Sequence, residues 1–195
     1  MWEERFASTT DYVFGKAPAR FLTEHESWFT PGLTALSVAD GEGRNSVWLA
    51  GRGLEVTALE FAPSALAKAR ALAAEQGVTV DFRQADVLAQ DFEGQYDLVL
   101  GLFIQFVGPV ERGKLFAKMQ KATKPGGHVM LHGYTPEQVR HGTGGPPNVA
   151  NMYTAKTLRE SFPGWEVIEV AEYEQAPQYT QGVAAYIDFI ARKPA

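Results

Sequence analysis

A chain of 195 residues is long enough for one domain with a substantial apolar core. Its 45% hydrophobic and 21% charged residues are ordinary for a globular protein, and a net charge of -5 without any Lys/Arg run excludes a nucleic-acid partner held by phosphate neutralisation. The absence of cysteine excludes disulfides, thiolate metal ligands and a cysteine nucleophile.

No apolar run reaches the roughly 20 residues that span a bilayer, so no membrane partner is expected. Met1-Trp2-Glu3-Glu4-Arg5 is acidic and amphipathic, unlike a secretory signal, and the expected location is cytoplasmic. Residues 1–16 hold Trp2, Phe6, Tyr12, Val13 and Phe14, an aromatic density that reads either as an arm patching the core or as a cover over a site. Pro18 opens a helical spacing through Phe21, Leu22, His25 and Trp28-Phe29, which Pro31-Gly32 ends.

Leu33–Ala39 is the first predicted strand, followed by Asp40-Gly41-Glu42-Gly43-Arg44-Asn45 and a helix from Asn45 to Gly51. Leu54–Leu59 is a second strand ending at Glu60. Pro63 opens a helix to Gln76, with Gly77 as its C-terminal cap. Val78–Phe82 alternates as a third strand, closed by Ala85-Asp86-Val87. Tyr96–Leu100 is a fourth strand whose apolar run suits burial on both faces. An amphipathic helix spans Pro109 to Lys124, Pro125-Gly126-Gly127 terminates it, and His128–His132 is the fifth strand.

Thr135–Asn151, with tandem prolines and Gly142-Thr143-Gly144-Gly145, reads as a long irregular loop. Thr154–Phe162 is helical, and Trp165–Glu174 and Gly182–Arg192 are two alternating strands, antiparallel by default. Alternating strands and helices predict an α/β fold: a Rossmann-like doubly wound sheet of seven strands, mostly parallel, with an antiparallel C-terminal hairpin. One domain, 1–195, is expected: an arm and helix over the site (1–30), a core (33–132), a loop on the substrate side (135–153) and the hairpin (165–192).

A buried strand that breaks into glycines and opens a helix is how such sheets build a nucleotide site, because a ligand lies there against bare backbone. Glu60 ends the second strand, where a carboxylate accepts from both ribose hydroxyls; otherwise it is a charge favouring the next helix. Asp86 is placed to accept from an adenine amino group, with backbone at Val87 meeting the ring; otherwise it caps a turn. Beyond strands four and five stand Phe103, Gln105, Phe106, His132 and Tyr134, and Arg140, His141 and Tyr153 flank the glycine-rich loop. Each also has a structural reading: phenylalanines in the core, His132 a satisfied histidine, Arg140 and His141 solvated. No histidine–carboxylate set has metal-ligand spacing, so no metal is expected.

These segments resemble the class I S-adenosylmethionine-dependent methyltransferases, and among them the short tellurite-resistance and thiopurine-type enzymes. The resemblance rests on Tyr12-Val13-Phe14-Gly15, Gly41-Glu42-Gly43-Arg44-Asn45, Glu60, Ala85-Asp86-Val87, Tyr96-Asp97-Leu98-Val99, Lys124-Pro125-Gly126-Gly127 and the terminal hairpin. It implies S-adenosyl-L-methionine as cofactor, held by Ala39, Asp40, Gly41, Gly43, Asn45, Glu60, Phe61, Asp86, Val87 and Gly101. It implies a small-molecule substrate touched by Tyr12, Phe14, Phe103, Tyr134, Arg140 and His141, with Gln105, His132 and Tyr153 as catalytic candidates. The expected acceptor is a small molecule, a soft nucleophile of thiol, selenite or tellurite type being one option, and a monomer or homodimer is expected.

The family's Asp-x-Gly-x-Gly-x-Gly appears here as Ser37-Val38-Ala39-Asp40-Gly41-Glu42-Gly43, so Ser37 replaces the leading acid and Ala39 the first glycine. Asp40 or backbone carbonyls take over the anchoring of the cofactor's ammonium group. A nicotinamide-dependent oxidoreductase and a non-catalytic binder of S-adenosylmethionine are the alternatives; against the first, Gly41-Glu42-Gly43-Arg44-Asn45-Ser46 lacks the third small residue of the dinucleotide fingerprint.

Overall fold

Strands form where short apolar runs are cut by glycine or proline, and each except the third is followed by a helix until residue 122. The computed structural model describes residues 1–195 and divides into two compact units, Met1–Asp91 and Phe92–Ala195.

The first unit holds helix α1 (Trp2–Ala7), α2 (Arg20–Glu24), a 3-10 turn (Glu26–Trp28), β1 (Thr34–Val38), α3 (Arg44–Gly51), β2 (Glu55–Glu60), α4 (Pro63–Gln76) and β3 (Asp81–Gln84). β1 and β2 pair in parallel from Thr34↔Glu55 to Val38↔Leu59, and β2 and β3 from Thr57↔Asp81 to Glu60↔Gln84. Helix α4 has the bounds its sequence predicts, because Pro63 sits where a missing N–H costs nothing and Gly77 takes the left-handed cap (φ 66°). Glu3 caps its first turn, accepting from the Ser64 amide at 3.1 Å and from the Ser64 hydroxyl. Phe6 of α1 packs with Val13 and Phe14 on Ala62 and Ala65. The aromatic arm therefore lies along α4.

Two expectations shift here. The helical spacing from Pro18 to Phe29 breaks into α2 and the 3-10 turn. The third strand starts at Asp81 rather than Val78, because Val78 and Val80 pack on the cluster of Val47, Leu72 and Ala73 instead of a ladder.

The second unit holds β4 (Tyr96–Leu102), α5 (Pro109–Ala122), β5 (Thr123–Tyr134), α6 (Gln138–His141), a 3-10 turn (Val149–Asn151), α7 (Ala155–Ser161), β6 (Glu166–Gln175) and β7 (Ala184–Arg192). β4 and β5 are parallel; β5 pairs β7 and β6 pairs β7 antiparallel. The sheet order is β3-β2-β1-β4-β5-β7-β6, so the fold is the expected α/β sheet of seven strands, mostly parallel with an antiparallel C-terminal hairpin. β5 is far longer than expected: Gly126 and Gly127 exchange backbone hydrogen bonds with Lys193 (3.1 and 2.8 Å), which draws the Pro-Gly-Gly turn into the strand. β7 does not alternate in burial, since Ala184–Ala191 are all buried; it is a central strand between β5 and β6. No helix is long and apolar enough to cross a membrane.

The stretch 135–151 is irregular as expected apart from two short helical pieces. Besides α6 and the 3-10 turn, it is pinned by Gln138, whose side-chain amide donates to Thr143 Oγ1 (2.9 Å) and the Gly144 carbonyl (3.0 Å) and accepts from the Ala185 amide (2.8 Å). Gln138 is fully buried, so its loss leaves these groups unpaired. Gln138→Ala is expected to cost about 2 kcal/mol of unfolding free energy and to speed proteolysis within residues 142–148. Unchanged urea midpoint and cleavage rate would show that the loop is held by other contacts.

Candidate functional site

The carboxyl ends of β1, β2 and β3 share one edge of the first unit because the three strands are parallel. Ligands bind at that edge in open α/β sheets. At the end of β2, Glu60 is 7% exposed, and its two carboxylate oxygens accept the backbone N–H groups of Gly41 and Ala62, each at 2.8 Å. Burial raises its carboxyl above the usual range, and those two N–H groups pull it back. Its side chain thus clasps the glycine turn to β2, while each oxygen keeps a second lone pair for a ligand hydroxyl.

The turn after β1 is left-handed at Ala39 (φ 51°), Gly41 (φ 68°) and Gly43 (φ 86°). A Cβ on Gly43 would stand 2.7 Å from Ala69 Cβ, so this glycine lets α3 pack on α4. A Cβ on Gly41 would meet only the Phe6 ring, at 3.7 Å, so bare backbone is presented there. Ala39 is strained, because alanine lacks glycine's freedom in this region. Asp40 is buried, with Ser37 and Ser46 hydroxyls donating to its two oxygens at 2.6 and 2.5 Å. Burial raises its carboxyl, and the serine hydroxyls oppose the rise. A buried carboxylate therefore stands hydrogen-bonded to Ser37. Glu42 pairs through one oxygen with Lys68 Nζ (2.8 Å), and its other oxygen is buried with no hydrogen-bond partner.

Phe61 follows Glu60 with its ring 57% exposed. Asp86 is exposed; it caps the next turn by accepting the Leu88 amide at 2.9 Å, and Val87 beside it is buried. The structure thus brings Ala39, Asp40, Gly41, Gly43, Glu60, Phe61, Asp86 and Val87 to one edge. Asn45 lies behind it, buried, accepting the Ala19 amide at 2.9 Å and tying α2 to α3.

The arm follows the same unit. Tyr12 donates to the Lys68 carbonyl at 2.9 Å, and Phe14 lies among Trp2, Phe6 and the guanidinium groups of Arg5 and Arg44. Tyr12 and Lys16 stand at Tyr-x-x-x-Lys spacing, but Lys16 is held by Glu75 at 2.6 Å and the Tyr12 hydroxyl is directed to α4, not to a common substrate.

In the second unit, Gly101 is a packing glycine: a Cβ there would meet Ile104 Cδ1 at 2.6 Å and Leu131 Cδ2 at 2.9 Å. Phe103, just beyond β4, takes a left-handed φ of 59° and lies edge-on to His132 at 4.7 Å and near Tyr134 at 5.3 Å. Gln105 spends its amide on the Tyr134 backbone, donating to its carbonyl (2.8 Å) and accepting its N–H (2.7 Å), as a strand neighbour would. His132 Nδ1 meets Asp188 Oδ1 at 2.6 Å. Tyr153 is fully buried against Phe116 beneath Arg112, and burial raises its hydroxyl well above the usual range. Arg140 pairs with Glu137 (2.7 Å) on the surface, and His141 with Glu174 (2.9 Å). Asp188 and Tyr173 were not candidates in the sequence; only the pairing of β7 with β5 and β6 reveals them.

Residues 35–127 match the family model of the methyltransferase domain. The ubiquinone biosynthesis O-methyltransferase of Pseudomonas paraeruginosa (strain DSM 24068 / PA7) is 36% identical over 102 residues, which cover 51% of this chain and 44% of that relative. The chain thus matches less than half the length of that curated relative. TehB from Haemophilus influenzae has the same fold at 18% identity (TM-score 0.76, covering 98% of this chain and 67% of that one). So does the N-methyltransferase NodS from Bradyrhizobium japonicum WM9 in complex with S-adenosyl-L-homocysteine, at 15% identity (TM-score 0.74, 99% and 97%). The glycine turn, Glu60, Asp86 and Val87 all fall inside the span matched by the methyltransferase domain. A domain match of this kind, with a methyltransferase relative, displaces the nicotinamide-oxidoreductase alternative.

Ala39→Gly is expected to raise unfolding free energy by about 1 kcal/mol, the cost of a left-handed non-glycine residue, as read by urea denaturation; a loss would show that Ala39 is unstrained. A second test uses pH. Folded Asp40 and Glu60 both have raised carboxyls, so between the ordinary carboxylate range and those raised values the native state holds more protons than the unfolded one. Stability from these groups therefore falls as pH rises through that window. Asp40→Asn is expected to gain on the parent protein as pH rises through it; parallel curves of stability against pH would remove Asp40 from the account.

Proposed function

We propose that this chain is an S-adenosyl-L-methionine-dependent methyltransferase of small molecules, working in the cytoplasm as one domain, 1–195, in a monomer or homodimer. The observation that carries this is Glu60: a buried carboxylate at the end of β2, holding a left-handed glycine turn whose backbone is bare. The residues suit the cofactor. Gly41 and Gly43 would border its methionine part, Glu60 would accept the ribose hydroxyls, the exposed Phe61 ring would offer a face to adenine, and Asp86 with Val87 would meet the adenine edge. Asp40, held by Ser37 and Ser46, is a carboxylate hydrogen-bonded to the residue at the place of the missing motif acid. Tyr12 and Phe14 belong to the cover over this edge.

When bound, the cofactor supplies a methyl group already activated by its sulfonium. The protein's share is orientation and exclusion of water. The relatives include both an O- and an N-methyltransferase, and TehB fits the resemblance to the tellurite-resistance type. A soft anion of thiol, selenite or tellurite type would need no base, whereas a protonated acceptor would.

Glu60→Ala is expected to weaken S-adenosylhomocysteine binding by about 1–3 kcal/mol, the value of hydrogen bonds to a charged group, in isothermal titration. Undiminished affinity would remove Glu60 from the ribose. Transfer of labelled methyl to any small acceptor separates the enzyme from a non-catalytic binder.

A further inference from the structure

We infer that Glu42 is the acid that receives the ammonium group of the cofactor's amino-acid part, a task that Ser37 leaves without a charge; this rests on the methyltransferase reading above. Three carboxylates stand in or beside the turn after β1, all within the first unit, and their partners tell them apart. Asp40 accepts a serine hydroxyl on each oxygen. Glu60 accepts a backbone N–H on each. Glu42 accepts from Lys68 Nζ on Oε1 at 2.8 Å, while its Oε2 has no partner.

The Glu42 side chain is 3% exposed, so bulk water does not reach that oxygen. Folded chains pair nearly all their buried polar atoms, and an exception asks for a cause. One other buried side-chain oxygen of the chain lacks a donor, Asn151 Oδ1 in the second unit, and it belongs to a neutral amide. A carboxylate oxygen is far costlier to leave bare than an amide oxygen.

Packing fixes Glu42 by its other oxygen. The next residue, Gly43, seats the turn against Ala69 of α4, and Lys68 precedes Ala69. Lys68 is itself held: its Nζ also donates to the Asp11 carbonyl at 2.8 Å, and its own carbonyl accepts the Tyr12 hydroxyl at 2.9 Å. Glu42 is thereby tied to α4 and to the arm before any ligand arrives. A group held in place beforehand loses little freedom on binding.

The class of donor follows from charge and position. A carboxylate takes its strongest hydrogen bonds from a cationic N–H. Glu42 lies between Gly41 and Gly43, the positions proposed to border the methionine part, and that part carries an ammonium group. A ribose hydroxyl is the weaker donor, and Glu60 is placed for it. Asp40, the sequence-based candidate for the ammonium group, is engaged by Ser37 and Ser46 instead.

Isothermal titration tests this with two ligands: S-adenosylhomocysteine, and its analogue in which hydrogen replaces the amino group. The parent should favour the amine-bearing ligand roughly 10-fold or more, the worth of a hydrogen bond to a charged group. Glu42→Gln should bring the two ligands within about 3-fold of each other, as a neutral amide would, while the analogue binds as it does to the parent. Glu42→Gln combined with Lys68→Met should do the same, because repulsion from an unpaired Lys68 is then absent. Asp40→Asn should keep the parent's preference. Glu42→Asp, which draws the charge back by one methylene, should show an intermediate preference, and it carries the test if Glu42→Gln does not fold. Equal affinity of the parent for the two ligands overturns the inference. So does a preference that survives Glu42→Gln, returns in the double variant, or is lost in Asp40→Asn. Weakening of both ligands alike by Glu42→Gln makes the residue structural and overturns it too. A parent that binds neither ligand overturns the methyltransferase reading, and the inference falls with it.

Discussion

The Glu60 carboxylate is the constraint on which the rest of the first unit depends. It is taken out of water, which costs several kcal/mol unless it is hydrogen-bonded. Two backbone N–H groups, from Gly41 and Ala62, offset that cost and in doing so set the path of the turn after β1 and the entry to α4. The same clasp explains why glycine stands at 41 and 43. A carboxylate can reach the turn only if the chain doubles back in the left-handed region, and α3 can then lie on Ala69 only if no Cβ intervenes at 43.

Strain is concentrated where strands end. Two non-glycine residues have left-handed φ, Ala39 after β1 and Phe103 after β4. Each costs on the order of 1 kcal/mol or more. At Ala39 the bend delivers Asp40 to Ser37 and Ser46; at Phe103 it delivers a ring to His132. In each case backbone energy is exchanged for side-chain placement just beyond a strand end.

The tail of the chain shows the same trade in a different form. β7 is buried along eight residues, yet it carries Asp188 and Tyr186 opposite His132 and Tyr134 of β5. A buried acid in a central strand is expensive, and here His132 and Tyr173 compensate it. Gln138 likewise ties down the glycine-rich stretch, with two hydrogen bonds donated and one accepted by a single side chain.

By itself the sequence determined the order of strands and helices, because apolar runs, proline starts and glycine caps are local signals; α4 keeps the bounds read from Pro63, Gln76 and Gly77. It also placed Gly41, Gly43, Glu60, Asp86 and Val87 on one edge, since consecutive parallel strands must end on the same side. It was poorer wherever a residue's partner is distant in the chain. Val78 and Val80 alternate like a strand but serve a cluster, Gln105 looked chemical but mimics a strand neighbour, and Arg140 and His141 looked available but pair with carboxylates. Asp188 could be joined to His132, 56 residues away, only by the register of β5 on β7. Local pattern records which face a residue presents; only the folded chain decides what stands opposite it, because cross-strand contacts are set by register and not by spacing.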